Sequence, residues 1–236
     1  IMNNYERLEG MVAATFTPLD ENGDVNLSVI DKYADWIAST PIKGVFVCGT
    51  TGEFSSLTID ERKLILEKWL VSARKRFKVI AHVGSNCQRS AMELARHAAQ
   101  VGADAIASIA PSFFKPGTVD ELVDFFAPIC HSAAGLPFYY YNMPSITGVN
   151  LPVDKFLVEG KKKIPNLVGT KFTHNNLMEM GVCIELEQHR FEVLHGYDEI
   201  LISGLAMGAV AGVGSTYNYI PNVYQAIFDS MKMNDL

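Results

Sequence analysis

The chain has 236 residues, 48% of them hydrophobic, and a formal net charge of -6, enough to enclose a sizeable core. With only two short basic runs, Arg74-Lys75-Arg76 and Lys161-Lys162-Lys163, no nucleic-acid partner is expected. The dispersed cysteines (Cys48, Cys87, Cys130, Cys183) form no C-x-x-C pair, no stretch reaches the roughly 18 to 20 apolar residues of a membrane span, and Met2 to Arg7 carries no export signal. These features exclude a zinc ribbon, a disulfide scaffold and a membrane protein, and predict a soluble cytoplasmic one.

Short β-branched or apolar runs recur along the chain, and a segment of helical period follows each. In order they are Met11 to Thr17, Gly44 to Gly49, Val79 to Gly84, Ala105 to Ala110, Phe138 to Tyr141, Leu167 to Phe172, Phe191 to Gly196, and Val210 to Ser215. Helix starts are marked by Asn26 or Ser28, by Thr58 with Glu61, and by Thr118 with Glu121, the last two as capping boxes. Eight βα units at this spacing predict a (β/α)8 TIM barrel rather than an open doubly wound sheet. No linker composition divides the chain, so residues 1–236 read as a single barrel domain. Pro221 to Leu236 suffice for one final helix, and no further C-terminal layer is expected.

In such a barrel the chemistry sits where the strands end. The second run closes in Gly49-Thr50-Thr51-Gly52-Glu53, the fifth in Tyr141-Asn142-Met143-Pro144, the sixth in Lys171-Phe172-Thr173, the seventh in Gly196-Tyr197-Asp198-Glu199 and the eighth in Gly214-Ser215-Thr216. Lys171 interrupts an otherwise apolar strand, and alternation puts it on one face with Gly169 and Thr173. If that face is the barrel interior, desolvation favours the free amine that attack on a ketone requires. Two structural alternatives stand beside this reading: a buried ion pair with Glu53 or Asp198, and a side chain that snorkels out at the rim.

Tyr141 ends the neighbouring run, where it either places a phenol near the amine or packs with Phe138, Tyr139 and Tyr140. The Gly49–Glu53 loop can turn backbone N–H groups and the Thr50 and Thr51 hydroxyls toward a carboxylate, or be a plain tight turn. Gly212 to Thr216 lacks the lysine and spacing of a phosphate loop. The six histidines, His82, His97, His131, His174, His189 and His195, show no metal-ligand spacing, so no metal or other cofactor is expected.

Taken in order, Gly49-Thr50-Thr51-Gly52-Glu53, Tyr141-Asn142-Met143-Pro144 through Thr147-Gly148, and Gly169-Thr170-Lys171 resemble the dihydrodipicolinate synthase and N-acetylneuraminate lyase superfamily. Lys171-Phe172-Thr173, His195 to Glu199 and Gly214 to Asn218 are more similar to its lyase branch. The synthase branch usually carries an arginine two residues after the motif proline, where this chain has Ile146.

The resemblance implies a homotetramer and a class I mechanism acting on a small sugar acid. Lys171 would form an imine, Tyr141 would move protons with help from Thr51, and Thr50 and Thr51 would hold the carboxylate of the pyruvate portion. Thr173, Gly196, Asp198, Glu199 and Ser215 would bind the hydroxylated remainder, with capping of the following helix as a structural role for the two acids. Relatives often place a tyrosine after the fourth strand, reaching a neighbouring subunit; here Phe113 and Phe114 carry no hydroxyl. Members usually continue through further C-terminal helices, which this sequence lacks. The competing expectations are another pyruvate-dependent aldolase of the same superfamily, acting on a 2-keto-3-deoxy sugar acid or making dihydrodipicolinate, and a non-catalytic barrel that binds a keto acid.

Overall fold

The computed structural model describes residues 5–133 and 135–233. Eight parallel strands close into a barrel in sequence order: β1 Gly10–Ala14, β2 Gly44–Val47, β3 Lys78–His82, β4 Ala105–Ile109, β5 Phe138–Asn142, β6 Leu167–Phe172, β7 Glu192–His195 and β8 Ala211–Gly214. The helices are α1 Val29–Ala38, α2 Ile59–Ala73, α3 Gln88–Val101, α4 Val119–Ser132, α5 Pro144–Thr147, α6 Val153–Lys163, α7 Leu177–Glu185, α8 Leu201–Ala206 and α9 Pro221–Met233. This is the (β/α)8 barrel the alternation predicts. The parts of the terminal readings that fall on Met2 to Asn4 and on residues 234–236 lie outside the described residues. No described helix is long and apolar enough to cross a membrane.

Several ladders stop one or two residues before the apolar runs do. Val83 and Ala110 stay buried past the ends of β3 and β4 because they turn outward into the layer beneath the helices. Two separate cores result from the period-two alternation. Inward residues such as Val12, Phe46, Ile80, Ala107, Tyr139, Tyr141, Leu194 and Val213 fill the barrel. Outward residues such as Val45, Val79, Phe138, Tyr140 and Phe172 pack under the helices.

The β5–β6 register slips once: Phe138 pairs with Leu167 but Tyr139 pairs with Gly169, leaving Val168 as an extra residue. Beyond the slip, Tyr141 lies beside Lys171, and both point inward.

Local signals account for the helix starts in three different ways. Thr58 and Glu61 form the full capping box of α2. At α4 only half of one forms, since Thr118 accepts from the Glu121 N–H while Glu121 Oε2 accepts from the Gly117 N–H at 2.6 Å. Ser28 precedes α1 without a side-chain cap, and Asn26 Oδ1 instead accepts from the Ser28 N–H at 3.2 Å. Asn218 ties the β1–β8 seam, donating from Nδ2 to the carbonyls of Ala14 and Ser215, both at 2.7 Å.

The N-terminal end of the barrel is plugged by a polar cluster. Glu192, on β7, accepts at Oε2 from the Tyr139 hydroxyl (2.8 Å) and the Leu8 N–H (3.1 Å), and the Tyr5 hydroxyl is bonded to that of Tyr139. Glu192 Oε1 is buried without a partner among the described residues. Burial pushes this carboxyl up from 4.5 to about 7, against the Leu8 N–H and Arg7, which pull it down. The folded protein therefore holds a proton here that the unfolded chain releases near pH 4.5, so Glu192 costs stability progressively as pH rises from about 4.5 to 7, and the cost is constant above that. Glu192→Gln, which mimics the neutral acid, is expected to gain on wild type by about 3 kcal/mol at pH 8 and by little at pH 4 in denaturant titrations.

Candidate active site

Lys171 projects from β6 into the barrel and is only 4% exposed. Its Nζ lies 4.0 Å from the Tyr141 ring centroid and 4.4 Å from that of Phe46, across the barrel on β2. Neither structural alternative for this lysine matches the geometry. It does not reach the rim, and no carboxylate lies within salt-bridge distance of it among the described residues. Glu53 is exposed in a left-handed turn, and Asp198 is engaged elsewhere. The amine is thus held by ring faces, whose attraction for a cation is modest.

The Tyr141 hydroxyl shares a 3.1 Å hydrogen bond with Thr50 Oγ1 and lies 3.1 Å from Met143 Sδ. The β2 loop therefore closes onto the end of β5, bringing Thr50, Tyr141 and Lys171 together. Thr51 is half-buried in the same loop, and it is Thr50 that touches the phenol. The loop is kinked at its start: Cys48 has φ 55°, a left-handed conformation that costs a non-glycine residue about 1–2 kcal/mol.

The residues expected to meet a polyol line the ends of β6, β7 and β8. Thr173 is buried, and its Oγ1 has no partner within the described protein, so it holds unspent hydrogen-bonding capacity. It sits directly over Gly196, where a Cβ would come within 1.9 Å of Thr173 Oγ1 and 2.9 Å of the Phe172 carbonyl. Asp198 Oδ2 accepts from the Thr216 N–H at 2.7 Å and the Thr216 hydroxyl at 2.5 Å. Asp198 thereby caps the short helical turn Thr216–Asn218 beside Ser215, not the helix that follows it in sequence. Glu199 is exposed and Ser215 half-buried at the same rim.

Phe46, His82 and Arg62 escaped the sequence reading. Alternation along β2 and β3 was the available signal for the first two, since it places Phe46 and His82 inside the barrel. Arg62 had none, being a cation in an amphipathic helix. It is nonetheless buried, with Nη1 donating to the Gly84 carbonyl (2.8 Å) and Nη2 to that of His82 (2.7 Å); burial lowers its pKa to about 10. No group of three or more His, Cys, Asp or Glu is placed to hold a metal among the described residues. A cavity of about 470 Å³ lined by Tyr5, Leu8, Lys78 and Asp104 opens at the opposite, N-terminal mouth, far from the strand ends at which this fold carries its chemistry.

A parallel eightfold barrel with an enclosed amine and an adjacent phenol at its C-terminal mouth defines a lysine-centred TIM-barrel site. The model of the dihydrodipicolinate synthetase family matches residues 7–236, and the chain belongs to that family. It is 43% identical to N-acetylneuraminate lyase of Mus musculus over 98% of this chain and 73% of the mouse protein. Among solved structures, N-acetylneuraminate lyase of Proteus mirabilis superposes with a TM-score of 0.95 at 36% identity, covering 98% of this chain and 78% of that one. A sialic acid aldolase of Ruminococcus gnavus, described as a catalytic lysine mutant, superposes with a TM-score of 0.91 at 27% identity, over 96% and 73% of the two chains.

The contact between Thr173 and Gly196 leaves no space for a side chain at position 196. Gly196→Ala is expected to force Thr173 aside and to lower stability by about 1–3 kcal/mol, measured by denaturant unfolding.

Proposed function

We propose that this protein is a class I lyase that reversibly cleaves N-acetylneuraminate to pyruvate and N-acetylmannosamine, with Lys171 as the nucleophile. The observation that carries the reading is the Lys171 amine enclosed beside the Tyr141 phenol, with no carboxylate among the described residues to hold it as a structural ion pair. The names of the mouse and Proteus relatives support the substrate, and that of the Ruminococcus structure supports a lysine as the working group. Ile146, on the exposed turn of α5, offers no cation for the second carboxylate that a synthase must bind.

In this mechanism the Lys171 nitrogen adds to C2 of the open-chain sugar acid. The ketone oxygen leaves as water, and a protonated imine remains. Tyr141, relayed through Thr50, supplies and takes up protons during that exchange. Loss of the C4 hydroxyl proton releases N-acetylmannosamine as an aldehyde while the C3–C4 bonding electrons pass to the imine nitrogen, giving an enamine. Protonation at C3 and hydrolysis then free pyruvate and the amine.

Thr50 and Thr51 are assigned to the substrate carboxylate. Thr173, Gly196, Asp198, Glu199 and Ser215 are assigned to the sugar hydroxyls, which carboxylates and small hydroxyls can meet several at a time. A homotetramer in the cytoplasm belongs to the same reading. The edge-to-face pair Phe113 and Phe114 after β4, 74% and 87% exposed, offers apolar surface for a subunit contact.

Borohydride reduction in the presence of N-acetylneuraminate, and separately of pyruvate, followed by peptide mapping, tests the assignment. Adducts on Lys171 from both ligands are expected, and none in Lys171→Ala. An adduct from pyruvate alone would reject the sialic acid substrate, and none from either would reject the imine. Tyr141→Phe is expected to keep substrate affinity while kcat falls by about 10²- to 10⁴-fold; an unchanged kcat in steady-state assays would remove Tyr141 from the proton path.

A further inference from the structure

We propose that His82 is a positioning residue for this site, its imidazole holding the turn at Cys48 that sets the Thr50 hydroxyl against the Tyr141 phenol. The inference rests on the roles given above to Lys171 and Tyr141. His82 ends β3 on the inward face and is fully enclosed, its ring centroid 4.5 Å from that of Phe54, 5.8 Å from Phe46 and 5.8 Å from Tyr141. Both ring nitrogens are committed to backbone. Nδ1 lies 2.7 Å from the Cys48 carbonyl oxygen, which can only accept, and the Ile109 N–H donates to Nε2 at 3.3 Å. One neutral tautomer, protonated at Nδ1, satisfies both contacts.

The surroundings are built for that ring. Gly84 leaves it room, since a Cβ there would come within 2.6 Å of Nε2. Arg62 grips the main chain behind it at the carbonyls of His82 and Gly84. Burial, foremost, and the nearby Arg62 and Lys171 cations hold the imidazole well below its ordinary pKa, against the Cys48 carbonyl, which favours the charged form. The ring therefore keeps the Nε2 lone pair that the Ile109 N–H needs.

The load on this ring comes from Cys48. Cysteine has no preference for a left-handed backbone, so φ 55° at that residue has to be imposed by contacts. His82 supplies the one side-chain hydrogen bond to the Cys48 main chain among the described residues. Two residues further on, Thr50 meets Tyr141. Without the Nδ1–H the turn can relax, and the hydroxyl moves off the phenol.

The test compares wild type, His82→Leu and His82→Asn for the rate of borohydride-trappable imine formation on Lys171 with pyruvate, with thermal unfolding in parallel and crystal structures of both variants. Leucine fills the space without donating, whereas the asparagine amide can take the place of Nδ1 and donate to Cys48. Imine formation is expected to slow by about 100-fold in His82→Leu but to stay within about threefold of wild type in His82→Asn, as misplacement of a reacting group predicts. In the leucine variant Cys48 should leave the left-handed region and Thr50 Oγ1 should leave hydrogen-bond reach of Tyr141. Should His82→Leu not fold, His82→Met makes the same comparison with a flexible side chain. The proposal is overturned if the non-donating variant forms imine at the wild-type rate, if asparagine is as slow as leucine, or if Cys48 and Thr50 stay in place without the imidazole. A wild type that traps no imine would instead sink the assignment of Lys171, and the crystal structures would still judge His82.

Discussion

A primary amine enclosed by a barrel, with no counter-charge beside it among the described residues, is the constraint on which the rest of this site depends. A buried ammonium ordinarily needs a paired anion, because desolvation costs several kcal/mol that nothing else offsets. Here the amine lies against the faces of Phe46 and Tyr141, which offer polarisable surface but no formal charge. The interior thus tolerates the amine without fixing it in an ion pair. In the proposed reaction, the carboxylate of the incoming keto acid brings the missing negative charge, so electrostatic completion of the site coincides with substrate arrival.

The two ends of the barrel solve opposite problems. At the N-terminal end Tyr5, Tyr139 and the Leu8 N–H knit with Glu192 Oε2 into a plug, and Glu192 Oε1 is left without a partner among the described residues. At the C-terminal end the Thr173 hydroxyl is buried without a partner among the described residues, and Glu199 and Ser215 stand open at the rim. Unspent polar capacity occurs at both ends, and it is the enclosed amine beside a phenol and a rim of hydroxyls that marks the C-terminal mouth as the reactive one.

Much of this was legible in the sequence, because a βα barrel is a local pattern repeated. All eight strands lie where the apolar runs stand, and they differ mainly at their C-terminal ends, where an apolar residue such as Val83 or Ala110 serves the outer core after the ladder has stopped. Lys171 stood out because a charge inside an apolar strand has few explanations. Three-dimensional proximity was less legible. That Thr50 rather than Thr51 meets the phenol depends on a backbone kink at Cys48 that cysteine does not advertise. That Asp198 reaches Thr216 depends on the pairing of His195 with Gly212, which brings the segments after β7 and β8 side by side. The burial of Arg62, whose guanidinium donates to the carbonyls of His82 and Gly84, has no signature in the composition of α2.

The register slip between β5 and β6 has a consequence for how this chain can vary over evolutionary time. Side-by-side residues of adjacent strands face the same way, so the unpaired Val168 decides which parity of β6 looks inward. With an unbroken ladder Thr170 would stand beside Tyr141, and Lys171 would be turned toward the helices, with every amino acid of the strand unchanged. The identity of the lysine is therefore only half of what the site inherits. The other half is the slip itself: were Val168 drawn into the ladder the lysine would face the helices, whereas its deletion would close the ladder and leave Lys171 beside Tyr141, so the site depends on how that residue is paired and not on its presence.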